Sequence, residues 1–279
     1  GFANGHHSPG IAQLQQHEGG DPIVQVRTLT SDGVQGIVAV PPSYRTEFAA
    51  TDEVALKSYD LRSWWFIAVN TNQPYLEDAR VRRALNLLID RTELREMAIL
   101  VRPGEQNSPC EFISGPFVQS SPFYNRSVPT VERSDRAAAE ALFLEAGLTS
   151  VGGRWQYEGE PITLRIGMLA SLSNEAQDLL SLIGNQIGGG GFHREESRIT
   201  IDDWNRHVRT GQYGDYDLLI GKWSFGLVED VNDIFHTRIG QDGTDNIFNY
   251  SNEDVDALLT EYAQARTDTG AQDAYHALH

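Results

Sequence analysis

Trp64-Trp65-Phe66-Ile67-Ala68-Val69-Asn70-Thr71, then Pro74, then Asp78-Ala79-Arg80-Val81-Arg82-Arg83-Ala84-Leu85-Asn86-Leu87-Leu88-Ile89-Asp90-Arg91, is the stretch on which the reading of this chain turns. Its aromatic and β-branched run predicts a buried strand, and the Asn-Thr-Asn-Gln-Pro segment at its end predicts a turn. Beyond the turn, Val81, Ala84, Leu85, Leu88 and Ile89 recur at helical spacing, with Asp78 placed as the N-cap. A strand that passes through a tight turn into an amphipathic helix is the basic step of an α/β architecture.

The same alternation continues after Asn70 and predicts a mixed α/β lobe over residues 71–279. Ser134-Asp135 opens a helix with Ala138, Ala141, Leu142 and Ala146 on one face, and Gly147 is placed to end it in the left-handed conformation. Trp155-Gln156-Tyr157 and Ile162-Thr163-Leu164-Arg165-Ile166 flank Glu158-Gly159-Glu160-Pro161, a hairpin signal. A third helix is expected from Asn174 to Ile187, leading into Gly188-Gly189-Gly190-Gly191. Asp202 or Asp203 opens a helix through Trp204 and Val208, and Tyr216-Asp217-Leu218-Leu219-Ile220 reads as a buried strand. The final helix is expected to start at Ser251-Asn252, gathering Val255, Leu258, Leu259 and Tyr262, with Ser251 and Asp254 spaced as a capping pair. Toward the amino terminus, residues 1–22 are rich in Gly, His and Gln without periodicity and are expected to be loose. Ile23–Val26 and Ile37–Val40 read as short strands around a turn at Thr30-Ser31-Asp32-Gly33, the second closed by Pro41 and Pro42.

Composition narrows the partners. The 279 residues carry 22 basic and 39 acidic side chains, a net charge of -17 that repels phosphate backbones and anionic lipid surfaces, so nucleic acid is not an expected partner. Mean hydropathy is -0.39, and no apolar run approaches the roughly 20 residues of a membrane helix. The charge is spread along the chain, which fits the solubility of a secreted or salt-adapted protein. Cys110 is the single cysteine, which excludes an internal disulfide, and Ser108-Pro109-Cys110-Glu111 lacks a nucleophile signature.

Several patterns that suggest chemistry fail on context. The four glycines follow a helix and lead to Phe192-His193-Arg194, whereas a phosphate loop precedes its helix and ends in Gly-Lys-Ser/Thr. None of the eight histidines forms a His-x-x-x-His pair, so no metal is implied; His6-His7 is an adventitious metal binder at most. There is no Gly-x-Ser-x-Gly elbow for a serine hydrolase. Glu229-Asp230 and Asp202-Asp203 are adjacent pairs whose side chains diverge on a helix or strand. What remains is aromatic: Tyr216 to Ile220 feeds Gly221-Lys222-Trp223-Ser224-Phe225-Gly226, a loop composition suited either to packing a ligand against a rigid edge or to filling a core.

These segments together resemble the family 5 extracellular solute-binding proteins, the oligopeptide, dipeptide and nickel binders of ABC importers. The resemblance rests on the aromatic strand ending in Asn-Thr, the following Pro, Val81-Arg82-Arg83-Ala84-Leu85 and Ile89-Asp90-Arg91. It extends to Val40-Pro41-Pro42, Gly115-Pro116-Phe117, Ser121-Pro122-Phe123-Tyr124-Asn125, the helix end at Gly147, and Tyr250-Ser251-Asn252 before Val255-Asp256-Ala257-Leu258-Leu259. It implies a periplasmic-binding-protein-like α/β fold of type II, with a mixed sheet and flanking helices. Residues 23–70 would be a remnant of the first lobe and the lobe crossing, and residues 71–279 the carboxy-terminal lobe. Members of the family are longer and the resemblance starts midway along them, so an export signal is expected outside this sequence.

The resemblance implies a non-enzymatic role: capture of a small solute or peptide by closure of two lobes, then presentation to the permease subunits of an ABC importer. It implies an extracytoplasmic, lipid-anchored, monomeric protein without a cofactor. The expected ligand-binding residues are Trp223, Ser224, Phe225 and Gly226, which match the family's cleft loop, together with Trp204. Two departures bear on the ligand. Gly226 stands where peptide binders hold an Asp that pairs with the peptide amino group, and Lys222 replaces the Gly before the Trp. A sensory module built on a solute-binding lobe and an α/β hydrolase remain the alternative readings.

Overall fold

The first strand, β1 (Ser63–Val69), ends where Asn70 closes the turn foreseen above. The structure, a computed structural model, describes residues 61–98, 110–174, 178–210, 216–226, 228–237 and 250–279, with positions 50, 176 and 246. The segment 1–22, the strands at 23–26 and 37–40 and the turn between them lie outside the described residues. The chain divides into two compact units, residues 1–57 and 58–279, and all that follows concerns the second.

Asn70 is buried, and its side-chain oxygen accepts from the Asn72 N–H at 3.1 Å while its amide donates to the Tyr216 carbonyl at 3.1 Å. Pro74 then sits in the first turn of the short helix α1 (Pro74–Glu77), where its missing N–H is no loss. Asp78 caps α2 (Ala79–Leu88), accepting from the Arg80 N–H at 2.8 Å. All five apolar residues read as one face, Val81, Ala84, Leu85, Leu88 and Ile89, are buried.

α3 (Arg91–Met97), α4 (Arg136–Glu145), β2 (Thr149–Val151), β3 (Arg154–Tyr157), β4 (Glu160–Pro161), β5 (Thr163–Leu169), α5 (Leu179–Gly189), β6 (His193–Ile199), α6 (Ile201–Thr210), β7 (Leu218–Ser224), α7 (Asn232–Phe235), α8 (Glu253–Gln264) and α9 (Asp268–Leu278) follow. The main sheet is mixed, in the order β1-β7-β5-β6: β5 lies parallel to β6 and to β7, and β1 runs antiparallel to β7. One face carries Leu164, Ile166, Met168, Leu218 and Ile220 against α2, α4 and α5. The other carries Ala68, Ile199 and Leu219 beneath Trp204 of α6. A second core, around Phe117, Tyr124, Val231, Ile234, Leu259 and Tyr275, joins α8 and α9, with Tyr262 and Tyr275 stacked at 3.7 Å.

Several local expectations shift. β1 is half-buried except at Ala68, because it pairs only with β7 among the described strands. On α4 the buried residues are Ala139 and Phe143 rather than Ala138 and Ala141: the Phe143 ring packs 4.9 Å from Trp155 and 5.2 Å from Phe192, and it orients the helix. Gly147 does adopt the left-handed conformation, at φ 89°. Its N–H bonds Leu144 O, and the Leu148 N–H bonds Phe143 O. The hairpin turns on Glu158 and Gly159, both at positive φ, but its second strand stops at Pro161. Ile162 onward leaves for the main sheet as β5. α5 starts at Leu179, not Asn174, since Asp178 holds a left-handed backbone that interrupts the helical run. Thr200 and Asn252, rather than Asp202 or Asp203 and Ser251, provide the caps of α6 and α8. The chain's last helix is α9, capped by Thr267. α1, α3, capped by Asp90, α7 and the exposed strand β2 are further elements that periodicity had not marked.

Of the four glycines, Gly188 and Gly189 end α5, and Gly190 and Gly191 lie in the turn to β6. Gly191 lies at φ 100°, and a side chain there would meet the Gly153 carbonyl at 3.0 Å. The carbonyls of Gly189, Gly190 and Gly191 are taken up nearby: Arg136 donates to Gly189 O at 2.9 Å, the Trp155 indole to Gly190 O at 2.8 Å, and the Trp155 N–H to Gly191 O at 3.1 Å.

Asp217, fully buried at the start of β7, accepts from the Arg165 N–H (2.8 Å), Arg165 Nε (3.1 Å) and the Tyr75 hydroxyl (3.0 Å). Burial and the adjacent carboxylate push the Tyr75 hydroxyl well above the usual phenol range. Asp217→Ala strands these donors and is expected to cost roughly 3 kcal/mol or more of unfolding free energy, measured by denaturant titration. The exposed cap behaves differently. Bonds from the side chain and backbone N–H of Arg80 hold the Asp78 carboxyl at about 2, below its usual 3.8. A depressed carboxylate stabilises above its unfolded pKa and stops doing so as pH falls through the folded one. Asp78→Ala is therefore expected to cost about 0.5–1 kcal/mol at neutral pH, a deficit that vanishes between pH ~4 and ~2.

Candidate functional site

Because β5, β6 and β7 are parallel, their carboxyl ends open on one edge of the sheet, the edge where ligands of α/β folds collect. A 3₁₀ turn (Ala170–Asn174) follows β5, α6 follows β6, and Ser224, Phe225 and Gly226 end β7. Trp204 lies against Gly221 of β7, whereas Trp223 and Phe225 pack with the second core.

Trp223 and Ser224 are strand residues rather than loop residues. They stand opposite Trp64 and Ser63 in the antiparallel ladder, and Lys222 stands opposite Trp65. The ladder's last bond runs from the Phe225 N–H to Arg62 O at 2.8 Å, so the chain leaves the sheet only at Phe225. Alternation sends Leu219, Gly221 and Trp223 to the face that also carries Trp64, Phe66 and Trp204. Gly221 is required there: a Cβ would lie 2.5 Å from Cζ of Phe66 and 3.0 Å from Cη2 of Trp204. Phe66 is also 5.1 Å from the Trp64 ring, so the two form an aromatic band along this face of β1. Beyond Trp223, Phe225 stacks on Phe117 at 6.1 Å and 16°, continuous with the second core.

Exposure divides the set. Trp204, Trp223 and Phe225 are half-buried, while Ser224 and Gly226 face solvent. Leu61 and Val228, in the segments flanking Phe225, are 60% and 66% exposed, unusual for large apolar side chains. Gly226 has open space around it, with nothing within 4 Å of a built Cβ. Neither neighbouring carboxylate replaces the absent Asp. Glu229 is buried, bonded by Ser121 Oγ at 2.5 Å and paired with Arg62 Nε at 3.5 Å. Asp230 accepts from the Tyr275 hydroxyl at 3.2 Å and the Asn232 N–H at 2.8 Å. Burial pushes the Cys110 thiol up, away from nucleophile character. Among the described residues no group of three or more His, Cys, Asp and Glu is placed to hold a metal ion, and no helix is long and apolar enough to cross a membrane.

Periodicity did not mark Trp64, Phe66, Gly221 and Arg62 as partners of this edge. A signal existed, since Trp64 and Phe66 alternate on one strand face, but the pairing joins positions well over a hundred residues apart.

A mixed sheet with helices on both faces and an aromatic segment at its carboxyl edge defines a periplasmic-binding-protein-like lobe, and the comparisons with known proteins agree. The family model of bacterial extracellular solute-binding proteins, family 5 Middle, matches residues 7–245, so the chain belongs to that family. A nickel ABC transporter protein of Bacillus halodurans superposes with a TM-score of 0.75 at 18% identity, covering 92% of this chain and 51% of that one. The ABC transporter substrate-binding protein CtaP of Listeria monocytogenes gives 0.72 at 19%, covering 92% and 49%. The oligopeptide-binding protein AppA of Bacillus subtilis, solved with a nonapeptide, gives 0.69 at 15%, covering 92% and 50%. This chain spans about half the length of each. No curated protein matches it.

Gly221→Ala forces Phe66 and Trp204 off the β7 backbone. It is expected to destabilise by about 1–3 kcal/mol and to raise tryptophan exposure, read by denaturation and by acrylamide quenching of fluorescence.

Proposed function

We propose that this chain is the carboxy-terminal lobe, with part of the first lobe, of an extracytoplasmic solute-binding protein that delivers its ligand to an ABC importer. Residues 71–279 form the lobe, residues 23–70 the first-lobe remnant and crossing, and β1 is the crossing strand. The observation that carries the reading is the Trp223-Ser224-Phe225-Gly226 segment at the carboxyl edge of three parallel strands, in a chain of family 5. Closure of two lobes traps the solute and needs no covalent chemistry, so the protein acts as a binder and not as an enzyme. It works as a lipid-anchored monomer, and the permease subunits receive its closed form.

The ligand is a peptide or another small solute that does not depend on a free amino group. Gly226 supplies no carboxylate, and Glu229 and Asp230 are committed to protein partners. Mass spectrometry of small molecules copurifying with the intact protein tests the reading; recovery of no solute, with no binding in calorimetry, would overturn it. Trp223→Ala is expected to weaken binding by about 2 kcal/mol. The space around Gly226 yields a gain-of-function test. Gly226→Asp is expected to tighten binding of a free-amino peptide about tenfold or more over its N-acetylated form, since charge-assisted bonds contribute roughly 1.5–3 kcal/mol.

A further inference from the structure

We propose that the indole N–H groups of Trp64 and Trp223 form a paired donor seat for uncharged oxygen acceptors of the bound solute; this rests on the assignment of the Ser224–Gly226 edge to the binding site. The two tryptophans are direct partners in the β1–β7 ladder, so their rings lie on the same face of the sheet. Both Nε1 atoms are shielded from solvent, and neither has a hydrogen-bond partner among the described residues. Buried indole N–H groups almost always find an acceptor, as that of Trp155 does at Gly190 O, 2.8 Å away. Among the described residues Arg95 Nε is the third such orphan, so two of the three stand on directly opposed residues.

Their position says what completes them. Trp64 and Trp223 are half-buried against the second core, and Ser224 and Gly226, close after Trp223 in the chain, are exposed. The nearby carboxylates Glu229 and Asp230 are already bonded elsewhere. N–H donors accept no ammonium group, which agrees with the lack of a carboxylate at Gly226. A net charge of -17 disfavours an anionic solute in the same place. What remains is a neutral oxygen, a peptide carbonyl or a sugar hydroxyl, held against the aromatic walls of Trp223 and Phe225.

The test uses the intact, isotope-labelled protein and three probes: maltohexaose, N-acetyl-tetraalanine amide and tetraalanine. Trp64→Phe and Trp223→Phe keep the ring, delete the N–H and assign the two indole signals. The expected result is that a neutral probe giving heat in calorimetry moves both indole proton signals downfield, and that each Phe variant binds it about 3- to 10-fold more weakly. Tetraalanine is expected to bind no better than its blocked form. A probe that binds while leaving both signals in place, or that binds both variants with wild-type affinity, overturns the seat but leaves the solute-binding reading standing. Indole protons protected from exchange and indifferent to every bound probe denote a structural water and overturn it likewise. No heat from any probe overturns the seat, and if no solute copurifies with the intact protein the solute-binding reading falls with it. If a Phe variant does not fold, the wild-type signals decide alone.

Discussion

The buried carboxylate of Asp217 is the point on which the arrangement of this lobe depends. Its side chain gathers donors from β5 (Arg165) and α1 (Tyr75), while its backbone carbonyl accepts from the Asn70 N–H at the end of β1. A buried charge tolerates no partial set of partners, so three strands are held to one register at one place. Register has consequences six residues away. A slip by one position would turn Trp223 to the α2 and α5 face and present Lys222 to the aromatic band. The chemistry of the exposed edge is thus set at the opposite, buried end of the same strand.

That dependence explains which parts of the molecule were legible in the sequence. Asp78, the α2 face, Gly147 and the turn at Glu158-Gly159 are local, and residues a few positions apart decide them. The strand through Leu218 was also legible, because it is apolar on both faces. Phe143 against Ala138, and the late start of α5 at Leu179, were not legible. Their outcome depends on Trp155 and Phe192 in the first case, and on one residue's left-handed backbone in the second. Helix α9 escaped notice because its buried face is made by Ala274 and Tyr275 in an otherwise polar run.

The candidate site was legible as a composition and illegible as a geometry. Trp223, Ser224, Phe225 and Gly226 could be picked out as an aromatic end to a strand. Nothing near them in sequence shows that Trp223 stands opposite Trp64 or that Phe66 lies across Gly221. Those contacts make the edge a junction of two cores: the sheet core with Trp204 on one side, the Phe117 and Tyr275 core on the other. An edge supported from both sides holds its side chains in place, the condition under which a surface loses little entropy on binding.

At the far side of the sheet, β6 is exposed along His193–Arg198, with Ile199 alone buried. Its outer backbone groups have no strand partner among the described residues, the condition under which sheets of different molecules join. Arg194, Glu196 and Arg198 on one face and Glu195 on the other oppose that joining, because an incoming strand would have to match these charges or strip water from them. Charge on this outer strand thus works against edge-to-edge joining, a form of colloidal protection written into a single strand.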